Sequence, residues 1–339
     1  MAGTNGAFAV RHEGAWQELG GVFGLQPPNH EAVAANGPDD VWVGGGDLEH
    51  WDGHAWSVVA PFDGSSSGRH IVDLWAQGDA LWAVEVDDVA GTSRVYRRTG
   101  ESFTEVVERY GLHAVWGSGP DDVWIAGAPA LKSDGGDVGH WANSIYHYDG
   151  ATLTEIPVEV LPVAGAYGPP TFERIHGTGP DDVLFVGSLG IEQGGASGSV
   201  ALVYAFDGQG FTPYTTPFDV SDLSLPDRFD CAYATSPTDV WLCAGRAMYH
   251  FDGATFARTE LTSYETYLQG IHALGPDDVT VVGGQRIAGG PLTGAAYHFD
   301  GASWTGLATG AGPALQGIWT FPGGEAWAVG ESTTLLHRR

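Results

Sequence analysis

The sequence predicts an all-β protein built from one repeated, four-stranded antiparallel unit. The first observation is a phrase, "GPDDVW" in its fullest form, with five close copies that begin at Gly37, Gly119, Gly179, Ser236 and Gly275. Two degenerate copies, "QGDALWAVE" and "PGGEAWAVG", bring the number to seven. A fixed repeat takes precedence over the two domains that a length of 339 residues would suggest.

The second observation is that each copy can be divided into four strands, A to D. Between Leu112 and Ile156, "LHAVWG" and "VWIAG" flank the tight turn "SGPDD", and "SIYHYDG" and "ATLTEI" flank an Asp-Gly hairpin turn. Such a small sheet cannot bury both faces alone, so copies must stack on one another. We therefore expect a seven-bladed β-propeller of four-stranded antiparallel blades, a single domain over residues 1–339.

The ends of the chain are expected to close the ring. The last repeat, about 315–339, ends with strand C, and the N-terminal segment "GAWQEL", about 14–19, matches the missing strand D. Completing the last blade in this way removes an open sheet edge. The preceding "AVRHEG" also resembles a strand C, which leaves the register of closure open.

The pattern "GPDDVW-x-x-G … H-x-D-G-x-x-W" resembles bacterial seven-bladed propellers of the WD-repeat, YVTN and BNR-like class. The resemblance covers nearly the whole chain and implies the propeller fold and, for many members, export. It implies no particular activity, because one fold hosts many functions.

Composition limits the classes of partner. A formal net charge of −28, with 14 basic against 42 acidic residues, disfavours nucleic acid and anionic membrane surfaces. No stretch approaches 18 consecutive apolar residues, so membrane insertion is not expected. The first residues do not form a signal sequence. We expect a monomer that is secreted or periplasmic after removal of a signal, with a cytoplasmic location as the alternative.

The only two cysteines give a further indication of compartment. Cys231 on strand A and Cys243 on strand B lie directly opposite each other when the hairpin is counted outward from its turn. The pair is either a disulfide or two buried free thiols. A disulfide would favour export.

The repeated polar residues are interpreted as structural. The second acid of each turn recurs at Asp40, Asp122, Asp182, Asp239, Asp278 and Glu325, and strand C carries His50, His147, His250 and His298. These residues occur about once per blade, too far apart to share one ion, so we expect the acids to cap their own turns and the histidines to be packed or hydrogen-bonded. Neither a metal nor a cofactor is predicted.

The functional face is predicted from loop length. The long insertions fall in the B–C and D–A connections, which leave a blade at the same end. The strands nearest the axis begin at that end, and their first positions are polar in six of seven blades: Glu31, Val72, His113, Glu173, Asp230, Gln269 and Gln316. This rim is either the wall of a wet channel or a ligand site.

The candidate ligand-binding residues are Arg174, Arg228, Arg246, Gln269, Gln316, Trp141 and Tyr167. The arginines would suit a carboxylate or phosphate, unless they only neutralise Glu173, Asp227 and Asp230. The function favoured is a binding module for a saccharide, peptide or partner protein. The alternative is a lyase or hydrolase acting on an acidic saccharide, with Glu31, His113, Glu173 or Asp230 as acid or base.

Overall fold

The computed structural model describes residues 8–11, 17–18, 29–59, 68–129, 131–132, 140–141, 144–157, 168–193, 196–213, 226–309, 312–331 and 334–338. Two short strands come first, β1 (Phe8–Arg11) and β2 (Gln17–Glu18). Six sheets of four antiparallel strands follow, and we number them blades 1 to 6.

The first three blades run from His30 to Ile156. Blade 1 comprises β3 (His30–Gly37), β4 (Asp40–Gly45), β5 (Leu48–Trp51) and β6 (Trp56–Val58). Blade 2 comprises β7 (Arg69–Gln77), β8 (Ala80–Asp87), β9 (Thr92–Thr99) and β10 (Ser102–Arg109). Blade 3 begins with β11 (Leu112–Gly119) and β12 (Asp122–Gly127). A separate small hairpin, β13 (Leu131–Lys132) and β14 (His140–Trp141), precedes its last strands, β15 (Ile145–Tyr148) and β16 (Leu153–Ile156).

The next three blades run from Thr171 to Leu307. Blade 4 comprises β17 (Thr171–Gly179), β18 (Asp182–Gln193), β19 (Ala196–Phe206) and β20 (Phe211–Pro213). Blade 5 comprises β21 (Cys231–Ser236), β22 (Asp239–Ala244), β23 (Ala247–Phe251) and β24 (Phe256–Glu260). Blade 6 comprises β25 (Glu265–Gly275), β26 (Asp278–Arg286), β27 (Leu292–Phe299) and β28 (Trp304–Leu307).

The last sheet is built differently from the six blades. Its strands β29 (Leu315–Thr320), β30 (Ala326–Gly330) and β31 (Thr334–Arg338) join β1 and β2 in a five-stranded sheet of order β1-β2-β31-β30-β29. We call it the closing sheet, because β29 contacts both β25 of blade 6 and β3 of blade 1.

The predicted number of seven four-stranded blades is therefore wrong, since six are found. The physical reason lies in the N-terminal segment, where both strand-like stretches pair with β31. β2 pairs with it in antiparallel orientation through Gln17 and Glu18, while β1 pairs with it in parallel over four residues. The closing sheet is thus a five-stranded sheet of mixed direction, not a blade completed by a single added strand.

The core consists of apolar side chains packed between neighbouring sheets. Trp124 of blade 3, for example, lies edge-on against Phe185 of blade 4, with ring centroids 5.5 Å apart, and contacts Phe206 at 4.8 Å. Both Trp124 and Phe185 are buried. Burying a large side chain of this kind contributes roughly 1.5–3 kcal/mol, so the blade interfaces hold the ring together.

The repeated turn residues form a hydrogen-bonded group that we call the turn-end unit. In blade 3, Asp122 Oδ1 lies 2.5 Å from His147 Nε2, while Ser118 Oγ donates to Asp122 Oδ2. The His147 ring stacks on Trp124 with centroids 4.1 Å apart. Equivalent groups are Asn36, Asp40, Trp42 and His50 in blade 1 and Thr235, Asp239, Trp241 and His250 in blade 5.

The structural interpretation of these residues holds, but the predicted bonds of the acids are wrong. Each carboxylate of a turn-end unit joins side chains of strands A and C instead of capping its own turn amides. Turn capping belongs to the Asp of the C–D turns. Asp149 Oδ1, for example, accepts from the backbone N–H of Ala151 and Thr152, which lowers the pKa of Asp149.

The glycine of the C–D turn is required by backbone conformation. Gly150 has φ of +91°, and a Cβ there would lie 2.8 Å from Asp121 Cβ. Only glycine adopts this conformation without strain and leaves room for the first acid of the turn phrase.

The two cysteines are joined in a disulfide, which decides between the two interpretations of the sequence. Cys231 pairs with Cys243 across the β21–β22 ladder, with Cα atoms 5.1 Å apart. Both side chains are buried.

In blades 4 and 6 the long B–C insertions continue the strands as regular hairpins. Strands β18 and β19 pair as far as Gln193 and Ala196, and β26 and β27 pair as far as Arg286 and Leu292. These hairpins extend their blades at the end where the inner strands begin. Much of the long D–A connections, 60–67, 158–167 and 214–225, lies outside the described residues.

Candidate functional site: the mouth of the central channel

A channel of about 370 Å³ lies at the centre of the ring. It is lined by the first strand of each blade and by β29 of the closing sheet. This volume falls at the lower end of the range of small-molecule sites. The channel is therefore large enough for one small ligand.

A β-bulge near the start of the inner strands explains how side chains reach this channel. The ladder between β3 and β4 skips Glu31, the ladder between β7 and β8 skips Val72, and four other inner strands skip a residue at the same position. The skipped residues are Glu31, Val72, His113, Glu173, Gln269 and Gln316. A bulge leaves one residue unpaired and changes the direction of its neighbours.

The bulge changes the orientation of a second position, the residue that follows the skipped one. With the equivalent residue of β21, this position is occupied by Ala32, Asp73, Ala114, Arg174, Cys231, Gly270 and Gly317. Five are small, and the two exceptions, Asp73 and Arg174, both line the channel. Among the described inner strands, they are the only two charged side chains at the position that follows the skipped residue.

Arg174 is held by one hydrogen bond. Its Nη1 donates to the backbone oxygen of Glu173 at 2.7 Å, and no carboxylate among the described residues lies within 4.0 Å of the guanidinium. A guanidinium has five N–H donors, so most of its capacity is left for a ligand.

Asp73 joins two neighbouring inner strands. Its Oδ2 accepts from the Val115 N–H of blade 3 at 2.9 Å, and its Oδ1 accepts from its own neighbour, Leu74, at 3.0 Å. Burial raises the pKa of Asp73 to about 6, although Arg174 and the two backbone donors oppose the shift. This carboxyl was missed because strict strand alternation places residue 73 away from the channel, and the bulge reverses that.

Glu31 lines the channel opposite blade 4. Burial raises the pKa of Glu31, with His70 and Arg174 opposing the shift and Asp88 adding to it. His70 Nε2 lies 3.7 Å from Glu31 Oε2. Glu31 and Asp73 thus place two carboxyl groups on a cavity wall that carries one guanidinium.

The other predicted residues divide into two groups. Gln269 and Gln316 line the channel together with Glu31 and Arg174. His113, Glu173 and Asp230 belong to the rim above it. Burial lowers the pKa of His113, while the charge of Glu173 opposes this shift and the charge of Arg174 adds to it. His113, Glu173 and Arg174 therefore lie near one another.

Two of the three predicted arginines are engaged within the protein. Arg228 Nε lies 2.7 Å from Asp230 Oδ1, and Asp230 is the main cause that raises the pKa of Arg228. Arg246 Nη2 lies 3.1 Å from Glu260 Oε2, away from the channel. Trp141 is in β14, where side chains are not described, and Tyr167 lies outside the described residues.

A belt of aromatic side chains forms the deeper wall of the channel and was not predicted. It consists of Trp75, Trp116, His176, Tyr233, His272 and Trp319, one from each inner strand except β3. Neighbouring rings touch, with centroid distances of 4.0 Å between His176 and Tyr233 and 4.5 Å between His272 and Trp319. These residues could have been found from the sequence, because each of them follows the first position of its inner strand, such as Val72 or His113, by three residues.

The belt residues bridge from one inner strand to the next. His176 Nδ1 accepts from the Ala234 N–H at 3.0 Å, and a Cβ on Gly177 would lie 2.8 Å from the Trp116 ring. Burial lowers the pKa of both His176 and His272 to about 3, so both rings are neutral at pH 7. The belt is therefore an uncharged aromatic surface.

Among the residues that the structure describes, no three His, Cys, Asp or Glu side chains are arranged to hold an ion. Within the same ranges, no helix is long and apolar enough to cross a bilayer.

Comparison with solved structures shows the β-propeller fold. The WD40 propeller domain of Doa1 matches with a TM-score of 0.57 at 11% identity, covering 98% of this chain and 96% of that one. BBS1N, solved in complex with ARL6DN, matches with a TM-score of 0.51 at 12% identity, covering 94% and 92%.

An extracellular domain of a two component system, BT3049 from B. thetaiotaomicron, matches with a TM-score of 0.56 at 11% identity. The match covers 92% of this chain, which spans only 40% of that domain. No protein-family model and no curated protein sequence matches the chain. The molecule is thus a β-propeller with WD40-like structural neighbours of varied roles.

Proposed function

We propose that the protein is a ligand-binding propeller with one composite site at the mouth of its central channel. The observation that carries this proposal is the Arg174 guanidinium, which lines a cavity of about 370 Å³ and has no carboxylate within 4.0 Å among the described residues. Holding a charged group beside a cavity without a close counter-ion costs free energy, and a bound ligand would offset that cost.

The distribution of side chains supports a single site over several equivalent ones. The turn-end units repeat between blades, whereas the seven equivalent positions of the inner strands, six of which follow a bulge, include one arginine and one aspartate among small residues. A saccharide, a peptide or a segment of a partner protein would have to enter this one mouth.

A secreted or periplasmic location belongs to the same proposal. The disulfide between Cys231 and Cys243 is a feature of oxidising compartments, and one structural neighbour is an extracellular domain.

The experiment is a thermal-shift and calorimetric screen of acidic oligosaccharides, short peptides and amino acids against wild-type protein and Arg174→Gln. We expect at least one class to stabilise the wild type and to lose most of its effect on the variant. Equal shifts for both proteins, or no shift with any class, would contradict a site at the mouth.

A second candidate function, cleavage of an acidic saccharide, is favoured by one observation. Asp73 faces the cavity with a pKa of about 6, close to the value that suits a general acid or base near neutral pH. Product analysis after incubation with acidic polysaccharides tests it. Turnover that Asp73→Asn abolishes, with binding retained, would establish the enzyme; binding without product would exclude cleavage of those substrates.

A further inference from the structure

The charges on the channel wall limit which ligand can complement it. At the level of the bulges the wall carries Arg174 and two carboxyl groups, Glu31 and Asp73. A purely anionic ligand would pair with Arg174 but add to the negative charge around it. A purely cationic ligand would leave the guanidinium without a partner. A ligand with one charge of each sign satisfies both.

The carboxyl groups retain hydrogen-bonding capacity for a cation. Asp73 accepts one backbone N–H at each oxygen, and each oxygen of a carboxylate has a further lone pair. Glu31 Oε2 has its His70 neighbour at 3.7 Å, beyond ordinary hydrogen-bond distance. An ammonium group with three donors could therefore bind to these carboxyl groups.

The aromatic belt indicates which chemical group the uncharged part of the ligand carries. Trp75 follows Asp73 by two residues and His176 follows Arg174 by two, so the belt lies about 7 Å deeper along the strands. All six belt residues line the same cavity as the charged groups. Aromatic rings pack against one another at centroid distances of about 4.5–7 Å, so the belt suits a planar apolar group.

We propose that the channel binds a free aromatic α-amino acid. Its carboxylate lies on the Arg174 guanidinium, its ammonium group lies between Glu31 and Asp73, and its ring lies against the belt at Trp116 and Tyr233. This inference rests on the proposed function, because it specifies the ligand of the same mouth.

The test is calorimetric titration with four probes that separate the three contacts. L-phenylalanine carries all of them, N-acetyl-L-phenylalanine lacks the ammonium charge, L-phenylalaninamide lacks the carboxylate, and L-alanine lacks the ring. We expect L-phenylalanine to bind and each of the other probes to bind at least about tenfold more weakly, since one charged or aromatic contact is lost.

Variants assign the contacts to residues. Arg174→Gln is expected to weaken L-phenylalanine binding at least about tenfold and to abolish the preference over the amide. Arg246→Gln is the matched control, because Arg246 is paired with Glu260 outside the channel, and it should bind as the wild type does. Thermal melts show whether each variant is folded, and Arg174→Lys, which keeps the charge, should retain part of the affinity.

Different results would contradict the amino-acid ligand and the proposed binding site. Absence of L-phenylalanine binding at millimolar concentration, or equal binding of the N-acetyl probe, overturns the amino-acid assignment. If an acidic saccharide or a peptide still binds in an Arg174-dependent way, the mouth remains the site. If nothing in either set of probes depends on Arg174, the proposed function fails as well.

Discussion

At the turn end of blade 3, Asp122 joins Ser118 and His147, and His147 stacks on Trp124. Blades 1 and 5 repeat the same arrangement. At the other end of the same strands the residues after the bulges are small except for Asp73 and Arg174, and Arg174 has no carboxylate within 4.0 Å among the described residues. Repetition thus marks the groups that bind one another, and irregularity marks the end of the ring where we propose that a ligand binds.

The largest expected effect on stability comes from a substitution in the turn-end unit of blade 3. Trp124→Ala removes a buried side chain between blades 3 and 4 and should lower the free energy of unfolding by about 3–5 kcal/mol. Its cross-strand neighbour Trp116 is half-buried at the channel, so Trp116→Ala should cost about 1–2 kcal/mol. Urea unfolding measures both. Equal losses of unfolding free energy in the two variants would contradict the conclusion that Trp124 supports the fold more than the channel residue Trp116 does.

The next effect concerns acid stability and comes from the belt. Burial lowers the pKa values of His176 and His272 to about 3. Between about pH 6.5 and pH 3, these histidines are therefore protonated in the unfolded chain and neutral in the folded protein. Stability from these groups is complete above about pH 6.5 and falls as the pH drops, by about 1.4 kcal/mol per pH unit for each histidine.

His272→Asn keeps an acceptor for Thr320 and removes one of these protons. Between pH 6.5 and pH 4, the slope of unfolding free energy against pH should therefore decrease by about 1.4 kcal/mol per pH unit, which corresponds to one proton. Asp73 acts in the opposite direction, since its raised pKa makes the folded state lose stability as the pH rises from about 4 to about 6. The difference between variant and wild type isolates the histidine. An unchanged slope would show that His272 is charged in the folded protein.

A smaller effect on stability is expected from the two adjacent acids of the repeated turn, Asp121 and Asp122, which should differ in their contribution. Asp122→Ala leaves Ser118 and His147 without their acceptor and should cost about 1–2 kcal/mol, because the carboxylate is only partly buried. Asp121→Ala is the control, since its side chain is 77% exposed, and should change stability by no more than about 0.5 kcal/mol. Denaturant midpoints compare them, and a reversed order would exclude the turn-end unit as a stabilising group.

The smallest effect on stability is expected at the mouth. Arg174→Gln loses one hydrogen bond to a backbone oxygen and no close ion pair, so its unfolding free energy should stay within about 0.5 kcal/mol of the wild type. A loss similar to that of Trp124→Ala would indicate that Arg174 supports the fold. Chemical denaturation monitored by tryptophan fluorescence is sufficient for this test.

The sequence predicted most of the fold because turn and hairpin signals are local. The strand pattern is confirmed in six blades, as is the direct pairing of Cys231 with Cys243. The number of four-stranded blades was wrong because two N-terminal stretches, not one, pair with β31. Which stretch joins an edge depends on tertiary packing, which the local pattern does not contain.

The site was predicted less completely. The structure places Arg174 on the channel wall, and its role there stays a prediction, whereas Asp73 and the aromatic belt were not predicted to line the channel. A bulge shifts the alternation by one residue, so the position of Asp73 cannot be read by counting from the turn. The alternative that the arginines neutralise nearby acids is confirmed for Arg228, which pairs with Asp230, whereas Glu260, the partner of Arg246, was not considered.

A crystal structure of the protein grown with L-phenylalanine tests the account most directly. We predict density for the amino acid in the central channel, with its carboxylate on Arg174, its ammonium group at Glu31 and Asp73, and its ring on the belt. Density at the outer strands, or an Arg174 side chain paired with Asp73 or Glu31 in place of a ligand, would contradict it.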